Sequence, residues 1–273
     1  MRTFLTGVLT LIAMVCTIIA VPAVWTDRNL VSADGFASAA TEAAHNSEVQ
    51  DYFADKIADE VTASTDISLA GPVVKPIAQS YTRTPQFVQD FTELARQQHT
   101  WLFTAPEAGQ SKHVMNLNIT PMINHVLASS PVKLTVDHEI DVPIDQNRLT
   151  AGSFESTGNQ ISMLAWASLI GAIVAGVAAL VSGRNRGAVL AWLGVGGILG
   201  GAGGWLLASY IQQVTGDAVA SADQSAQQVV TVVVDDVTAG LSDTSLIVAG
   251  VAVAVTVLGI VIAVLRPGRT RRP

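Results

Sequence analysis

The sequence predicts a membrane protein, namely a four-helix transmembrane bundle (mainly α) with an α-rich α+β extracytoplasmic domain between the first and second spans. Three observations predict this fold class. The 273-residue chain is 49% apolar and only 14% charged, whereas globular domains carry about 25% charged residues. Four stretches that are long enough to cross a bilayer contain no charged residue. The segments between them differ sharply in the sign of their charge.

The four uncharged stretches contain apolar segments at residues 4–25, 161–181, 188–211 and 245–265. Each has the roughly 20 residues that a helix needs to cross about 30 Å of hydrocarbon. The first could also be a cleaved signal peptide, but its apolar run exceeds the usual length of about 7–15 residues, which favours an uncleaved anchor. The predicted organisation is a cytoplasmic N-terminus with the first transmembrane helix (1–25), an extracytoplasmic domain (26–160), a second helix (161–182), a cytoplasmic loop (183–187), a third helix (188–211), a second extracytoplasmic segment (212–243), a fourth helix (244–265) and a basic cytoplasmic tail (266–273).

The placement of arginine predicts the orientation of the chain. Residue 2, the loop 183–187 and the tail 266–273 together carry seven arginines and no acidic residue. Residues 26–160 carry seventeen Asp or Glu against eight Lys or Arg, and residues 212–243 carry five Asp and no cation. Short cationic loops stay in the cytoplasm. We therefore expect a multi-pass protein of the plasma membrane with both termini cytoplasmic and the main domain extracytoplasmic.

Small residues occupy one side of the second and third spans and predict where these helices pack. Helices associate in lipid where small residues let two backbones approach closely. Because only a short loop joins these spans, we expect an antiparallel hairpin with the small faces together. The helix-packing residues are Gly171, Ala175, Gly176, Gly196, Gly197, Gly200, Gly201 and Gly204. A gate or hinge is the alternative role for so many glycines, but their one-sided distribution favours packing.

The first and fourth spans carry narrower stripes of small residues at heptad spacing, which also predict packing faces. The stripes are Thr3, Thr6, Thr10, Ala13, Thr17 and Ala20 in the first span, and Ser245, Ala249, Ala252, Thr256, Gly259 and Ala263 in the fourth. None of the four predicted spans contains an ionisable residue. Such residues mark ion and proton paths in membranes, so their absence argues against a pump or a coupled transporter.

Residues 26–160 are enough for one folded domain. Apolar spacing predicts helices at 32–45 and 47–63, and Thr84–Pro85 starts another as N-cap and first helical residue. Prolines at 72 and 76 interrupt the pattern between them. Alternation then predicts a strand at 115–119, a short helix at 120–127 and a second strand at 133–142. The segment 212–243 has helical spacing, with a strand over the β-branched run 229–234 as the alternative.

Motifs for chemistry are missing from the sequence, which predicts no catalytic residue, no metal ligand and no cofactor. Asp137, Glu139 and Asp141 are spaced like the first ligands of a calcium loop. The sixth and twelfth positions of such a loop need Gly and Glu, but here they are Val142 and Arg148. The histidines show no HExxH spacing, and no nucleophile elbow or phosphate loop is present. A net charge of −7 gives no reason to expect nucleic-acid binding.

Several short motifs are shared with known membrane proteins. They are Thr26–Asp27–Arg28 after the first span, Glu48–Val49–Gln50, the helix carrying Phe87, Phe91, Arg96 and His99, and a strand that runs into Thr120–Pro121. In these motifs and in its order of spans the chain resembles a family of uncharacterised four-span integral membrane proteins from actinobacteria. The resemblance implies location and architecture, and it implies no activity.

These observations favour a non-enzymatic envelope protein, an accessory or scaffold subunit whose outer domain binds another membrane or periplasmic protein. Its other partner is the lipid bilayer, and the small-residue stripes serve a monomer or a homo-oligomer equally well. The candidate surface for a partner or ligand consists of Arg96, His99, Asp137, Glu139 and Asp141. Two alternatives remain, a small-molecule or lipid-binding sensor that uses the same residues, and a component of a transporter.

Overall fold

The structure is a computed structural model that describes residues 2–64, 71–106, 112–128, 139–145, 150–219 and 224–265. These residues are mostly helical, with nine α-helices and two short strands. The chain divides into two compact units. The first, called here the four-span unit, comprises residues 1–28, 160–213 and 237–273. The second, called the larger unit, comprises residues 29–159 and 214–236.

Four helices are long and apolar enough to cross a membrane, which makes this a multi-pass membrane protein by length and composition. They are α1 (Arg2–Thr26), α7 (Glu155–Ser182), α8 (Arg186–Val219) and α9 (Gln224–Leu265). A π-helical turn, Asp27–Val31, continues α1. Each helix contains one of the four predicted apolar segments, so the sequence prediction of four spans is confirmed.

The predicted segment 212–243 is helical wherever the structure describes it. Helix α8 continues to Val219, and α9 already begins at Gln224. The strand alternative for residues 229–234 is therefore wrong. Those β-branched residues lie inside a 42-residue helix, in which each added residue gains a hydrogen bond at a small cost in propensity.

The glycines of α8 show how the four-span unit packs. A Cβ added at Gly197 would lie 2.7 Å from Ala252 Cβ, and one at Gly201 would lie 2.6 Å from the carbonyl oxygen of Ser245. Gly194 and Gly204 likewise face α9. The residues that these glycines and Gly187 approach are all six members of the predicted stripe on the fourth span, Ser245, Ala249, Ala252, Thr256, Gly259 and Ala263.

The predicted pairing of the small faces of the second and third spans is wrong. Some of the glycines of α8 face α9, and two others face α1. A Cβ added at Gly196 would lie 2.7 Å from Met14 Cγ, and one added at Gly200 would lie 3.1 Å from the Thr17 carbonyl oxygen. Small residues allow close approach to whichever helix is adjacent. A short connecting loop therefore did not decide which face of α8 meets which neighbour.

The glycines of α7 face both α1 and α8. A Cβ added at Gly171 would lie 3.0 Å from Cys16 Sγ, and one at Gly176 would lie 3.7 Å from Leu193 and 4.0 Å from Ala13. Ala175 is buried.

A further close contact joins α8 to α9, where a Cβ on Gly187 would lie 2.6 Å from the Gly259 carbonyl oxygen. The converse distance, from a Cβ on Gly259 to the Gly187 oxygen, is 2.7 Å.

The described residues of the larger unit form five complete helices. They are α2 (Ala33–Ala43), α3 (Ser47–Ser64), α4 (Gly71–Thr82), α5 (Pro85–Phe103) and α6 (Thr120–Ala128). Helix α5 begins as predicted, since Thr84 is its N-cap and Thr84 Oγ1 accepts from the Phe87 N–H at 3.3 Å. The sequence did not predict α4, because Pro72 and Pro76 suggested a break. Proline is tolerated in a first turn, and burial of Ala78 and Tyr81 offsets the cost of Pro76.

One two-stranded antiparallel sheet accounts for the strands in the described residues. Strand β1 is Val114–Asn118, close to its predicted position, and β2 is Asp141–Asp145. The second strand was predicted at 133–142, so only its last two residues lie in β2, and residues 133–138 are outside the described residues. The register places Asn116 opposite Pro143. The described residues of the larger unit are thus mostly helical, with less strand than the predicted α+β class implies.

Aromatic rings form the core of the larger unit. Phe87 is fully buried, and its ring centroid lies 5.8 Å from that of Tyr81 and 5.7 Å from that of Phe91. Phe53 from α3 meets Phe91 edge-on at 4.9 Å. Buried Met122 and Val126 of α6 belong to the same cluster. These contacts hold α3, α4, α5 and α6 together and fix the positions of the polar groups on their surfaces.

Candidate functional site

Two of the predicted surface residues lie on α5 but have different surroundings. Arg96 is partly exposed, and its Nη1 pairs with Asp34 Oδ1 at 3.0 Å. His99 is 6% exposed, its Nε2 lies 2.9 Å from the Val31 carbonyl oxygen, and its ring stacks on Phe103 at 4.4 Å. The prediction that His99 contributes to a binding surface is therefore corrected: its ring is part of the packing between α5 and the chain that follows α1.

The predicted carboxylates lie at one end of the two-stranded sheet. Glu139 is exposed and its Oε1 accepts from Asn118 Nδ2 at 2.6 Å, while Asp141 is exposed and opposite Asn118 in the register. Asp137 lies outside the described residues. Within the ranges that the structure describes, no group of three His, Cys, Asp or Glu side chains is placed to hold a metal ion.

A groove of about 410 Å³ lies beside Arg96, between α5 and β1. From α5 it is lined by Glu93, Arg96, Gln97, Thr100 and Trp101, and Thr104 lines it just after the helix ends. Asn116 of β1 lines the opposite side, and Ala151 also contributes. A loop hydrogen bond from Gly152 N–H to the Trp101 carbonyl oxygen, 2.8 Å long, holds the end of α5. The groove thus combines amide groups with an arginine and a tryptophan, and arginine and tryptophan are enriched in protein interfaces.

The main chain of β1 has an open edge at this groove. Ile119 N–H donates to the Ile140 carbonyl oxygen at 3.1 Å, so the alternate residue Asn118 directs its N–H away from β2, and that group donates instead to Gln97 Oε1 at 3.0 Å. Antiparallel pairs alternate in this way along a ladder. Asn116 therefore also directs its N–H and C=O away from β2, consistent with the proline opposite it.

Nothing in the described part of the chain covers this edge at Asn116. No hydrogen bond joins the Asn116 main chain to described residues outside the sheet, and Asn116 is exposed. An open strand edge is a template for pairing with an extended segment of another chain. The main-chain N–H and C=O of Asn116 are therefore available for such pairing, with side chains of α5 beside them.

A buried carboxylate on α5 forms a second polar cluster, which sequence reasoning missed. Asp90, whose side chain is 9% exposed, accepts from Tyr81 Oη at 2.5 Å, and its other oxygen accepts from Gln86 Nε2 at 3.1 Å. His125 Nδ1 lies 2.7 Å from Asp90 Oδ2. Burial raises the pKa of Tyr81 well above its ordinary value, and the hydrogen bond to Asp90 adds to this effect. With these partners the carboxylate links α4, α5 and α6, which makes the cluster structural.

A third polar region follows the exposed face of α3. Asp51 pairs with Arg83 at 2.9 Å and Asp55 pairs with Lys75 at 2.8 Å, in both cases between exposed side chains. The hydrogen bond and charge of Asp55 raise the pKa of Lys75. Asp51 and Asp55 border a groove of about 430 Å³ together with Glu48. Exposed ion pairs of this kind contribute little to stability. The face of α3 is acidic, and cationic side chains of neighbouring segments neutralise much of its charge.

One signal in the sequence could have pointed to a residue that was missed. Gln86 and Asp90 are four residues apart, so they share a face of a helix. The exposed edge at Asn116 follows from the alternation of β1 only when its partner strand is known.

Comparisons of the chain with protein-family models, with curated proteins and with solved structures found no match.

Proposed function

We propose that this chain is a non-enzymatic membrane protein of the bacterial envelope, an accessory or scaffold subunit whose larger unit binds an extended segment of a partner protein. The open edge of β1 at Asn116, beside the groove lined by Arg96 and Trp101, is the observation that carries the proposal. In such binding, main-chain hydrogen bonds provide affinity and the neighbouring pockets provide specificity. The partner is a membrane or periplasmic protein.

The extracytoplasmic location of the larger unit is part of the proposal. It rests on the charge distribution, since arginines flank the spans at residues 2, 184 and 186 while residues 26–160 and 212–243 are acidic. Translocation retains short cationic loops in the cytoplasm. The resemblance to four-span actinobacterial membrane proteins supports the same placement. A sensor that used the His99 ring has less support, because that ring is buried against Phe103.

The orientation is tested with reporter fusions and protease. A phosphatase that is active only outside the cytoplasm is fused after Thr104, and a fluorescent protein that folds only inside is fused after Leu265. We expect both reporters to be active in those fusions and inactive when they are exchanged. The opposite pattern contradicts the proposed location.

The docking edge is tested by one substitution with a matched control. Asn116→Pro removes an N–H that the β1–β2 ladder does not use, and proline is accepted at such edge positions. Asn116→Ala keeps the N–H and removes only the side chain. We expect tagged wild type and Asn116→Ala to retain the same partner in mild detergent, identified by mass spectrometry. Binding by Asn116→Pro should weaken about tenfold, since a hydrogen bond contributes about 0.5–1.5 kcal/mol and about 1.4 kcal/mol corresponds to tenfold.

Two results contradict the docking proposal. One is that wild type reproducibly captures no partner from its own membranes. The other is that Asn116→Pro, with a thermal melt like that of Asn116→Ala, retains the partner as well as wild type does. A Trp101→Ala variant, which changes the groove and leaves the β1 main chain intact, shows whether the α5 side contributes.

A further inference from the structure

The four-span unit contains a groove that the proposed function does not use. It has a volume of about 450 Å³ and lies between the first half of α1, the end of α7 and the beginning of α8. Its walls are mainly apolar and include Leu11, Met14 and Val189. The hydroxyl of Thr10, another wall residue, donates to the Thr6 carbonyl oxygen at 2.8 Å. Thr10 therefore satisfies its hydroxyl within its own helix.

The length of the groove matches one leaflet of a bilayer. Its α1 wall extends from Thr3 to Met14, which corresponds to about 17 Å at a rise of about 1.5 Å per residue. Half of the hydrocarbon thickness is about 15 Å. The length of the groove is therefore similar to the depth of membrane that one acyl chain occupies.

The groove has a cationic end. Arg184 and Asn185, in the short connection between α7 and α8, line it where the two spans end. Residues 183–187 carry two arginines and no acidic residue, and no carboxylate is among the residues described as lining the groove. Arg184 is exposed. Arginine binds phosphate in a planar, bidentate manner, so this end is suited to an anionic headgroup.

The middle of the groove is open at a glycine. A Cβ added at Gly7 would meet no atom within 4 Å, and Gly7 lines the groove. A larger side chain at this position would project into empty space instead of into a neighbouring helix. The groove can therefore be filled by substitution without disturbing the packing of α1.

From the match of length, apolar walls and a cationic end, we propose that this groove binds one anionic phospholipid, with an acyl chain along α1 and the phosphate at Arg184. Charge complementarity selects the lipid class, because a zwitterionic lipid offers the same acyl chain and no net charge. A basic side chain near the membrane surface contributes about 1 kcal/mol to the binding of anionic lipid, which corresponds to about fivefold in affinity.

The test measures lipid retention by native mass spectrometry on the purified full-length chain in detergent. The probes are dioleoyl phosphatidylglycerol and dioleoyl phosphatidylcholine, titrated separately. We expect one phosphatidylglycerol to be retained about fivefold more tightly than phosphatidylcholine by the wild type. In Arg184→Gln this preference should be lost. The matched control is Arg186→Gln, because Arg186 is exposed at the first position of α8 but does not line the groove.

A second pair of variants tests the position of the acyl chain. Gly7→Leu should reduce the retention of both lipids, because its side chain fills the groove. Gly250→Leu is the control, since a Cβ at Gly250 also meets nothing within 4 Å and Gly250 does not line the groove. Trp192→Ala removes a side chain from the wall of the groove and adds no side chain that could disturb the packing. This variant is measured in case Gly7→Leu does not fold.

Three outcomes overturn the proposal. Equal retention of the two lipids by the wild type refutes the selection by charge. Equal losses in Arg184→Gln and Arg186→Gln refute the position of the headgroup, and unchanged retention in both Gly7→Leu and Trp192→Ala refutes the position of the chain. Each of these results is independent of the proposed docking edge at Asn116.

Discussion

The two units of this protein are stabilised in different ways. In the four-span unit, α8 and α9 approach until an added Cβ at Gly197 or Gly201 would lie under 3 Å from its neighbour. In the larger unit, by contrast, volume is filled by rings, with Phe87 and Tyr81 almost completely buried. Lipid tails are as apolar as side chains, so helices in a membrane gain from close packing more than from burial. Water adjacent to the larger unit makes burial of apolar area the main contribution there.

This contrast predicts that truncating a side chain should harm the larger unit most, whereas adding one should harm the four-span unit most. The variants below test it in the full-length chain by thermal or denaturant unfolding in a fixed detergent.

Phe87→Ala should cause the largest loss, about 3–5 kcal/mol, which is typical of a buried phenylalanine. Phe87 is fully buried and contacts three other aromatic rings. The control is Phe154→Ala, because Phe154 is 38% exposed and should lose less. Equal effects of the two substitutions would mean that the aromatic cluster is not the core of the larger unit.

Tyr81→Phe should reduce stability by about 1.5–3 kcal/mol at neutral pH, since it removes a hydrogen bond to a charged group. Its effect should also depend on pH. The pKa of Tyr81 is raised in the folded chain, so the unfolded chain releases this proton first as the pH passes about 10. Wild type therefore loses stability from this group above about pH 10, and the variant does not. When the free energy of unfolding is measured from pH 7 to 11, the curves of wild type and variant should converge above about pH 10. Parallel curves would contradict the role of Tyr81.

Gly194→Ala should destabilise by about 1–3 kcal/mol, as expected for overpacking. The added Cβ would lie 2.7 Å from main-chain atoms of Ala252 and Thr256, which cannot move aside as a flexible side chain does. Gly203→Ala is the matched control in the same helix, because a Cβ there meets nothing within 4 Å. Alanine has a higher helix propensity than glycine, so Gly203→Ala should not destabilise, and a similar loss in both variants would contradict contact with α9 as the cause.

The sequence was sufficient for the spans and for much of their packing. Uncharged apolar runs identified four helices, and the heptad stripe from Ser245 to Ala263 is the surface that α8 meets. The choice of neighbour was not predictable. A face of glycines fits the backbone of any adjacent helix. The periodicity of α8 therefore could not show that its glycines pack against α9 and α1 and not against α7.

Prediction was less successful in the larger unit, for a different reason. Helix α5 was identified by its Thr84–Pro85 cap, whereas α4 was missed because local proline signals favoured a break that core burial overrides. His99 was assigned to a surface from its residue type, yet a long-range contact with Val31 and a local one with Phe103 decide its burial. The groove beside Asn116 depends on the pairing of residues that lie far apart in the chain. Such pairings have no signal in local spacing.

The reciprocal contact of Gly187 and Gly259 constrains how this sequence can change over evolutionary time. Each residue presents its carbonyl oxygen where the other would need a methyl group, so replacing one glycine does not make room at the second position. Weak Cα–H···O contacts are possible at such crossings, and any branched side chain would abolish them. A natural variant should therefore keep both glycines or alter the crossing of the two helices as a whole.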